Sequence, residues 1–144
     1  MDFKPKTSLL HQLHRASQVA TDRFTKAAGG NNVTVRQLVI LSAIAAHDDP
    51  SQTDLVAVTG VDRSTLADVM KRLIKRGLVS RRRKKHDARA YAVRLTADGQ
   101  RHLDSVLPAL AAIESDLLKA LPVGKRSDLI SSLQELATGG ASVA

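Results

Sequence analysis

The chain has 144 residues, 43% of them apolar and 25% charged, with 22 Lys and Arg against 14 Asp and Glu for a formal net charge of +8. That length suits one domain with a real core, and that composition excludes a disordered chain. The lack of cysteine excludes disulfides, thiolate nucleophiles and Cys-based zinc sites, and no apolar run approaches the roughly 18 residues of a membrane span.

The spacing predicts helices over most of the chain. Pro5 to about Ala28 forms a first helix, with Leu9, Leu10, Leu13, Ala16, Val19, Ala20 and Phe24 in an i, i+3/i+4 rhythm, and Gly29-Gly30-Asn31-Asn32 ends it. A second helix opens on the capping box Thr34-Val35-Arg36-Gln37, turns Leu38, Leu41, Ile44 and Ala45 inward and stops at His47-Asp48-Asp49-Pro50. A short third runs from a Ser51 cap through Leu55, Val56 and Val58 to Gly60, and a fourth from Asp62 to Gly77. Two strands follow, Val79 to Lys84 and Arg89 to Leu95, joined by the polar turn Lys85-His86-Asp87-Ala88; Tyr91, Val93 and Leu95 form the inward face of the second. Thr96-Ala97-Asp98-Gly99 caps a long fifth helix seamed by Leu103, Val106, Leu107, Leu110, Ile113, Leu117 and Leu121, with a kink expected at Pro108. Leu121-Pro122-Val123-Gly124 is a joint, and a last helix carries Leu129, Ile130, Leu133 and Leu136. The N-terminus, Met1-Asp2-Phe3-Lys4-Pro5-Lys6, has no apolar core behind its lysines, so a cytoplasmic protein with no membrane partner is expected.

The positive charge is concentrated. Residues 1–70 balance 7 bases with 7 acids, and residues 95–144 hold 4 bases and 6 acids. Residues 71–94 hold 11 bases with Asp87 as their only acid. Such a cluster costs self-repulsion, and a polyanion with regular phosphates is the partner that offsets it.

Two short helices followed by a basic hairpin have the order of a helix-turn-helix with a wing. On the fourth helix Leu66, Val69, Met70, Leu73 and Ile74 share one face, while Ser64, Asp68, Lys71 and Lys75 share the other, bordered by Thr65 and Arg72. That arrangement suits a helix packed on one side and laid in a major groove on the other. Arg63 opens the helix, whose first amides favour a phosphate. Asp68 either accepts from a cytosine amino group or pairs with Lys71 or Arg72 one turn on. In the hairpin, Arg81, Arg82, Arg83, Lys84, Lys85 and His86 line a backbone track. Arg89 suits a narrow minor groove, with Asp87 placed to hold its guanidinium. With only Phe3, Phe24 and Tyr91 as aromatics, single-strand and RNA binding, which lean on base stacking, are disfavoured against double-stranded DNA.

From Val33 to Leu136 the chain resembles the MarR (multiple antibiotic resistance regulator) family of winged-helix transcription regulators. The resemblance lies in Thr34-Val35-Arg36-Gln37-Leu38, Ser51-Gln52-Thr53-Asp54-Leu55, Val61-Asp62-Arg63-Ser64-Thr65-Leu66 and Leu73-Ile74-Lys75-Arg76-Gly77-Leu78-Val79. Asp87-Ala88-Arg89 and Leu95-Thr96-Ala97-Asp98-Gly99 complete the pattern. It implies an all-α fold with a small β-hairpin wing: a winged helix-turn-helix over residues 33–99, a helical dimerisation part from residues 1–30 and 100–137, and a loose tail over 138–144. It further implies a homodimer that represses from a palindromic operator and is released by a small aromatic or anionic effector. The long apolar seams of the terminal helices support dimerisation independently, because one small unit would leave them exposed. The family's effector pocket lies between the dimerisation part and the winged helix, where His11, His14, Arg15 and Gln18 are the candidate residues, Arg15 as the anion partner.

No cofactor and no metal are expected; His11 and His14 are the one candidate ligand pair, with His102 and nearby acids as distant completions. No phosphate loop, nucleophile elbow or paired carboxylates speak for an enzyme. Two other readings use the same residues: a ligand-independent architectural or antitoxin-like DNA binder, and a module docking its basic hairpin on an acidic protein.

Overall fold

A computed structural model describes residues 2–29 and 32–139, with the backbone alone for residues 87–90. Six helices and one hairpin follow in the order α1 (Leu9–Ala27), α2 (Val35–Ala46), α3 (Gln52–Thr59), α4 (Arg63–Lys75), β1 (Val79–Lys84), β2 (Asp87–Leu95), α5 (Ala97–Leu118) and α6 (Val123–Ala137). The architecture is the expected one, mostly helical with a two-stranded antiparallel wing.

Local chemistry sets most boundaries. Thr34 and Gln37 form a reciprocal capping box at α2, and Ser51 and Asp54 form a second at α3. At α4 the Asp62 carboxylate accepts from the Thr65 amide at 2.9 Å. The helix closes through bonds from the Gly77 amide to the Ile74 carbonyl and from the Leu78 amide to the Leu73 carbonyl. That double closure requires a left-handed residue, and Gly77 supplies it with φ +73°.

Four boundaries differ from expectation. A 3-10 turn spans Pro5–Thr7, and α1 begins only at Leu9, because the Ser8 hydroxyl caps it by accepting from the His11 amide. The hairpin turn is shorter than expected: β2 starts at Asp87, which pairs with Lys84 across a register shift at Arg83 and Lys84. α6 starts at Val123, so Gly124 belongs to its first turn and not to the joint. α5 ends at Leu118, so Leu121, expected on its seam, lies past its end, and Pro108 stands within the helix. The expected turn at Gly30 and Asn31, and the tail beyond Gly139, lie outside the described residues.

The core gathers around α2. Leu38, Ile40, Leu41 and Ile44 meet Leu55 of α3, Leu66, Met70 and Leu73 of α4, Val79 and Val93 of the hairpin, and Leu103 and Val106 of α5. Because α2 touches α3, β2 and α5, its buried arc is wider than one stripe and also takes Gln37 and Ala43, whereas Ala45 in its last turn is exposed. α1 contributes Phe24 and, just past its end, Ala28; Leu9, Leu10, Leu13 and Val19 face outward. α6 buries no residue at all.

The joint between hairpin and α5 is tight. Thr96 donates its hydroxyl to the Gly77 carbonyl at 2.6 Å and its amide to the Leu78 carbonyl at 3.1 Å, while its oxygen caps the Gly99 amide. Gly99 packs so closely there that a Cβ would overlap the Leu78 carbonyl oxygen and stand 3.0 Å from its carbon.

Candidate nucleic-acid interface

The left-handed Gly60 (φ +69°) turns the chain between α3 and α4 and sets the two helices of the helix-turn-helix. α4 then buries Leu66, Val69, Met70 and Leu73, with Ile74 half-buried. That packing leaves Arg63, Ser64, Asp68, Lys71, Arg72 and Lys75 exposed on the remaining surface. Thr65 is half-buried, and its hydroxyl donates to Asp62 at 2.6 Å, which commits its proton to the helix cap and leaves only lone pairs outward. The Thr65 hydroxyl and amide together hold the Asp62 carboxyl below the usual carboxylate range.

Asp68 makes no ion pair among the described residues, so the pairing with Lys71 or Arg72 is not formed. An exposed carboxylate gains little from a neighbour on the same helix once side-chain entropy is counted, which leaves Asp68 available outward.

In the hairpin, Arg81, Arg82, Arg83, Lys85 and His86 are exposed and Lys84 half-buried. Only the root of the wing reaches the core, through Val79, Ala92 and Val93. Tyr91, expected on the inward face, is instead exposed, with the Arg83 guanidinium 5.8 Å above its ring. It stands too far along the strand to meet the core, and Ala92 on the other face is covered in its place. Between the start of α3 and the hairpin lies an open groove of about 400 Å³, lined by Ser51, Gln52, Thr53, Arg81, Lys84 and Tyr91. The side chains of Asp87 and Arg89, and so the expected hold of one by the other, lie outside the described residues.

Three basic residues of the run are tied to the protein itself, a division no local pattern signals. Arg76 donates to the Asn32 carbonyl at 3.0 Å and reaches the Gln37 side-chain oxygen at 3.5 Å. Lys84 stands 4.0 Å from Asp54, and Arg94 makes a two-pronged pair with Asp49. Lys71, Arg72, Lys75, Arg81, Arg82, Arg83 and Lys85 form no ion pair with another described side chain.

Of the four candidate effector residues the structure brings two together. His11 and His14 line an open pocket of about 380 Å³ with Phe3, Ser8 and Leu10, and the His11 ring meets Phe3 edge-on at 6.4 Å. Arg15 and Gln18 are exposed further along α1 and do not line it. Among the described residues no group of three or more His, Asp or Glu could hold a metal, and no helix is long and apolar enough to cross a membrane.

His102 of α5 has its Nε2 buried without a hydrogen-bond partner among the described residues. Burial first, and the Arg76 charge second, hold its pKa below the ordinary imidazole value of 6.5. Unfolding therefore takes up a proton between the folded value and 6.5, so this contribution to stability is complete above that range and is lost as pH falls through it. Urea unfolding at pH 7.5 and 5.5 is expected to show the weaker fold at the lower pH, with a smaller difference in His102→Gln. An equal difference in both proteins would place the pH dependence elsewhere.

The family model described as MarR family matches residues 31–90, spanning α2 to the hairpin. The HTH-type transcriptional repressor NicR of Pseudomonas putida is 31% identical over 126 residues, covering 88% of this chain and 80% of that one. The chain belongs to the MarR family. Like its relatives it is a DNA-binding winged-helix transcription regulator, and the relatives are named as regulators and not as enzymes. A structure of Bordetella bronchiseptica BpsR, solved for the regulation of its DNA binding by 6-hydroxynicotinic acid, superposes with a TM-score of 0.87 at 25% identity. It covers 95% of this chain and 98% of its own. The transcriptional repressor CouR bound to a 23-mer DNA duplex superposes with a TM-score of 0.84 at 25% identity, covering 95% and 99%. This member of the MarR family thus shares 95% of its length with a repressor structure solved on a DNA duplex.

Proposed function

We propose that the protein is a homodimeric repressor that reads a palindromic operator through two copies of α4 and two wings. The observation that carries this reading is the division of the basic run, in which Lys71, Arg72, Lys75, Arg81, Arg82, Arg83 and Lys85 stay exposed without an ion pair among the described residues, while Arg76 and Arg94 are held by internal contacts and Lys84 only approaches Asp54 at 4.0 Å. Ser64, Asp68, Lys71 and Lys75, bordered by Arg63, Thr65 and Arg72, meet base edges and flanking phosphates. Arg81, Arg82, Arg83, Lys84, Lys85 and His86 follow the backbone, and Arg89, held by Asp87, enters the minor groove. The terminal parts, residues 1–30 and 100–137, join two copies, because α1 and α6 present apolar faces that the single chain leaves uncovered.

The effector is a small aromatic acid. BpsR answers to 6-hydroxynicotinic acid, and the described pocket offers Phe3 and two imidazoles, with Arg15 one turn beyond His11 for a carboxylate. Binding there, at the end of α1 farthest from Phe24, acts on the dimer geometry and not on the reading helix itself.

The test is an unbiased selection of duplex sites at two salt concentrations. A palindrome bound well above random DNA, and weakened by hydroxylated pyridine or benzene carboxylates, supports the whole reading. A palindrome untouched by every such acid supports the architectural alternative. Enrichment of nothing, with binding that collapses in salt, leaves a basic docking module. In the same titrations Arg89→Ala is expected to weaken operator binding and to lower the salt slope by about one counterion. An unchanged slope and affinity would remove Arg89 from the interface.

A further inference from the structure

Two acidic residues close the linker between α2 and α3, and the second of them, Asp49, is held in an uncommon way. Its backbone is left-handed, with φ +47°, a region that Asp and Asn tolerate better than other side chains. From there its carboxylate takes two hydrogen bonds from the Arg94 guanidinium, the Nη2 bond at 2.8 Å. The next residue, Pro50, is buried, and its carbonyl accepts the Val93 amide at 2.9 Å. β2 is thus flanked by β1 on one edge and by the linker on the other. Arg94 pairs across the hairpin with Ser80, so the same strand position links the linker to both strands. Asp48, Arg82 and Lys84 line the cleft with them, so the linker's acids face the cations of the hairpin. Arg94 also holds the Asp49 carboxyl below the usual carboxylate range, Arg82 and Lys84 adding to the effect, so the pair is charged throughout the neutral range.

Beyond its root the hairpin has one other ion pair to the helices among the described residues, the long 4.0 Å approach of Lys84 to Asp54. The side chains that reach the core are Val79, Ala92 and Val93, and the strands beyond them are exposed or half-buried. A carboxylate beside a run of DNA-facing cations is by itself a disadvantage, since it repels phosphate and cancels a neighbouring charge. We infer that Asp49 is a positioning residue for DNA reading: its two-pronged grip on Arg94, with the Pro50 carbonyl on Val93, sets the wing's angle against α4 so that both reach one duplex in phase. The inference deepens the operator reading and rests on it.

The sign of one substitution separates this role from that of a plain surface acid. Asp49→Asn keeps a residue suited to the left-handed backbone while removing the charge. A plain acid, once removed, relieves repulsion and frees Arg94, so duplex binding tightens. A positioning acid, once removed, loosens the wing, and operator affinity is expected to fall about threefold to fivefold. The companion measurement is amide hydrogen exchange. The Val93 amide is expected to exchange faster in Asp49→Asn, with Met70 and Leu73 of α4 unchanged. Operator binding that is unchanged or tighter overturns the inference, and so does a loss accompanied by equal acceleration in α4, which marks a general loss of stability. Failure of the unaltered protein to prefer its selected operator over random duplex would count against operator reading itself, a result visible before any variant is made.

Discussion

Ile130→Glu is expected to yield a folded monomer and to lower operator affinity at least about a hundredfold, since a second half-site bound through the same molecule is met at a high effective concentration. Ile130 is 61% exposed in the single chain, and Leu133 and Leu136 extend the same apolar ridge along α6. At the other end of the chain Leu10 is 79% exposed and Phe3 70% exposed. Surfaces of this kind are costly in water, and a second copy is the partner that a two-fold operator demands. The substitution leaves the core intact, because α6 contributes no buried side chain to it. Light scattering gives the mass and a duplex titration gives the affinity. A dimer that survives Ile130→Glu with unchanged operator binding would move the interface off α6.

The second large effect concerns the seam between wing and α5. Gly99→Ala is expected to cost about 2–3 kcal/mol and to lower the melting midpoint by roughly 5–10 °C. The added methyl would occupy the space of the Leu78 carbonyl, and that oxygen cannot step aside without breaking its bond from the Thr96 amide. Gly124→Ala is the control. It stands in the first turn of α6 with nothing within 4 Å of a new Cβ, and alanine there should be neutral or slightly stabilising. Equal midpoints for the two variants would show that the seam relaxes easily.

Much of this molecule was legible because its punctuation is local. Thr34 with Gln37, Ser51, Asp62 and Gly77 each act within a few residues, so the starts and stops of α2 to α4 could be read from side chains alone. The family resemblance rested on the same stretches and led to the right fold. What escaped notice depends on distant parts of the chain meeting. Asp49 reads as a turn residue until Arg94, 45 positions on, closes on it. Arg76 looks like one more cation of the basic run until it reaches Asn32 and Gln37 across the start of α2. Tyr91 obeys the alternation of its strand, yet alternation says nothing about how far along the strand the core extends. Helical spacing offers Asp68 a partner in Lys71 or Arg72 as one of two outlets, and that pair does not form, since solvent competes successfully for an exposed carboxylate. The candidate effector residues were the least legible: helical spacing puts His11, His14, Arg15 and Gln18 on one face, yet only His11 and His14 line the pocket, which Phe3 and Ser8 close from outside the helix.

The outward stripe of α4 has a consequence for how such a protein can change over generations. Ser64, Asp68, Lys71 and Lys75 stand apart from the buried row of Leu66, Val69, Met70 and Leu73. Exposed positions of this kind usually tolerate replacement within about 0.5 kcal/mol of stability. On the proposed operator reading, drift at those four positions alters which genes are controlled while the fold stays intact, so a duplicated copy can acquire a new target one residue at a time without passing through an unfolded intermediate.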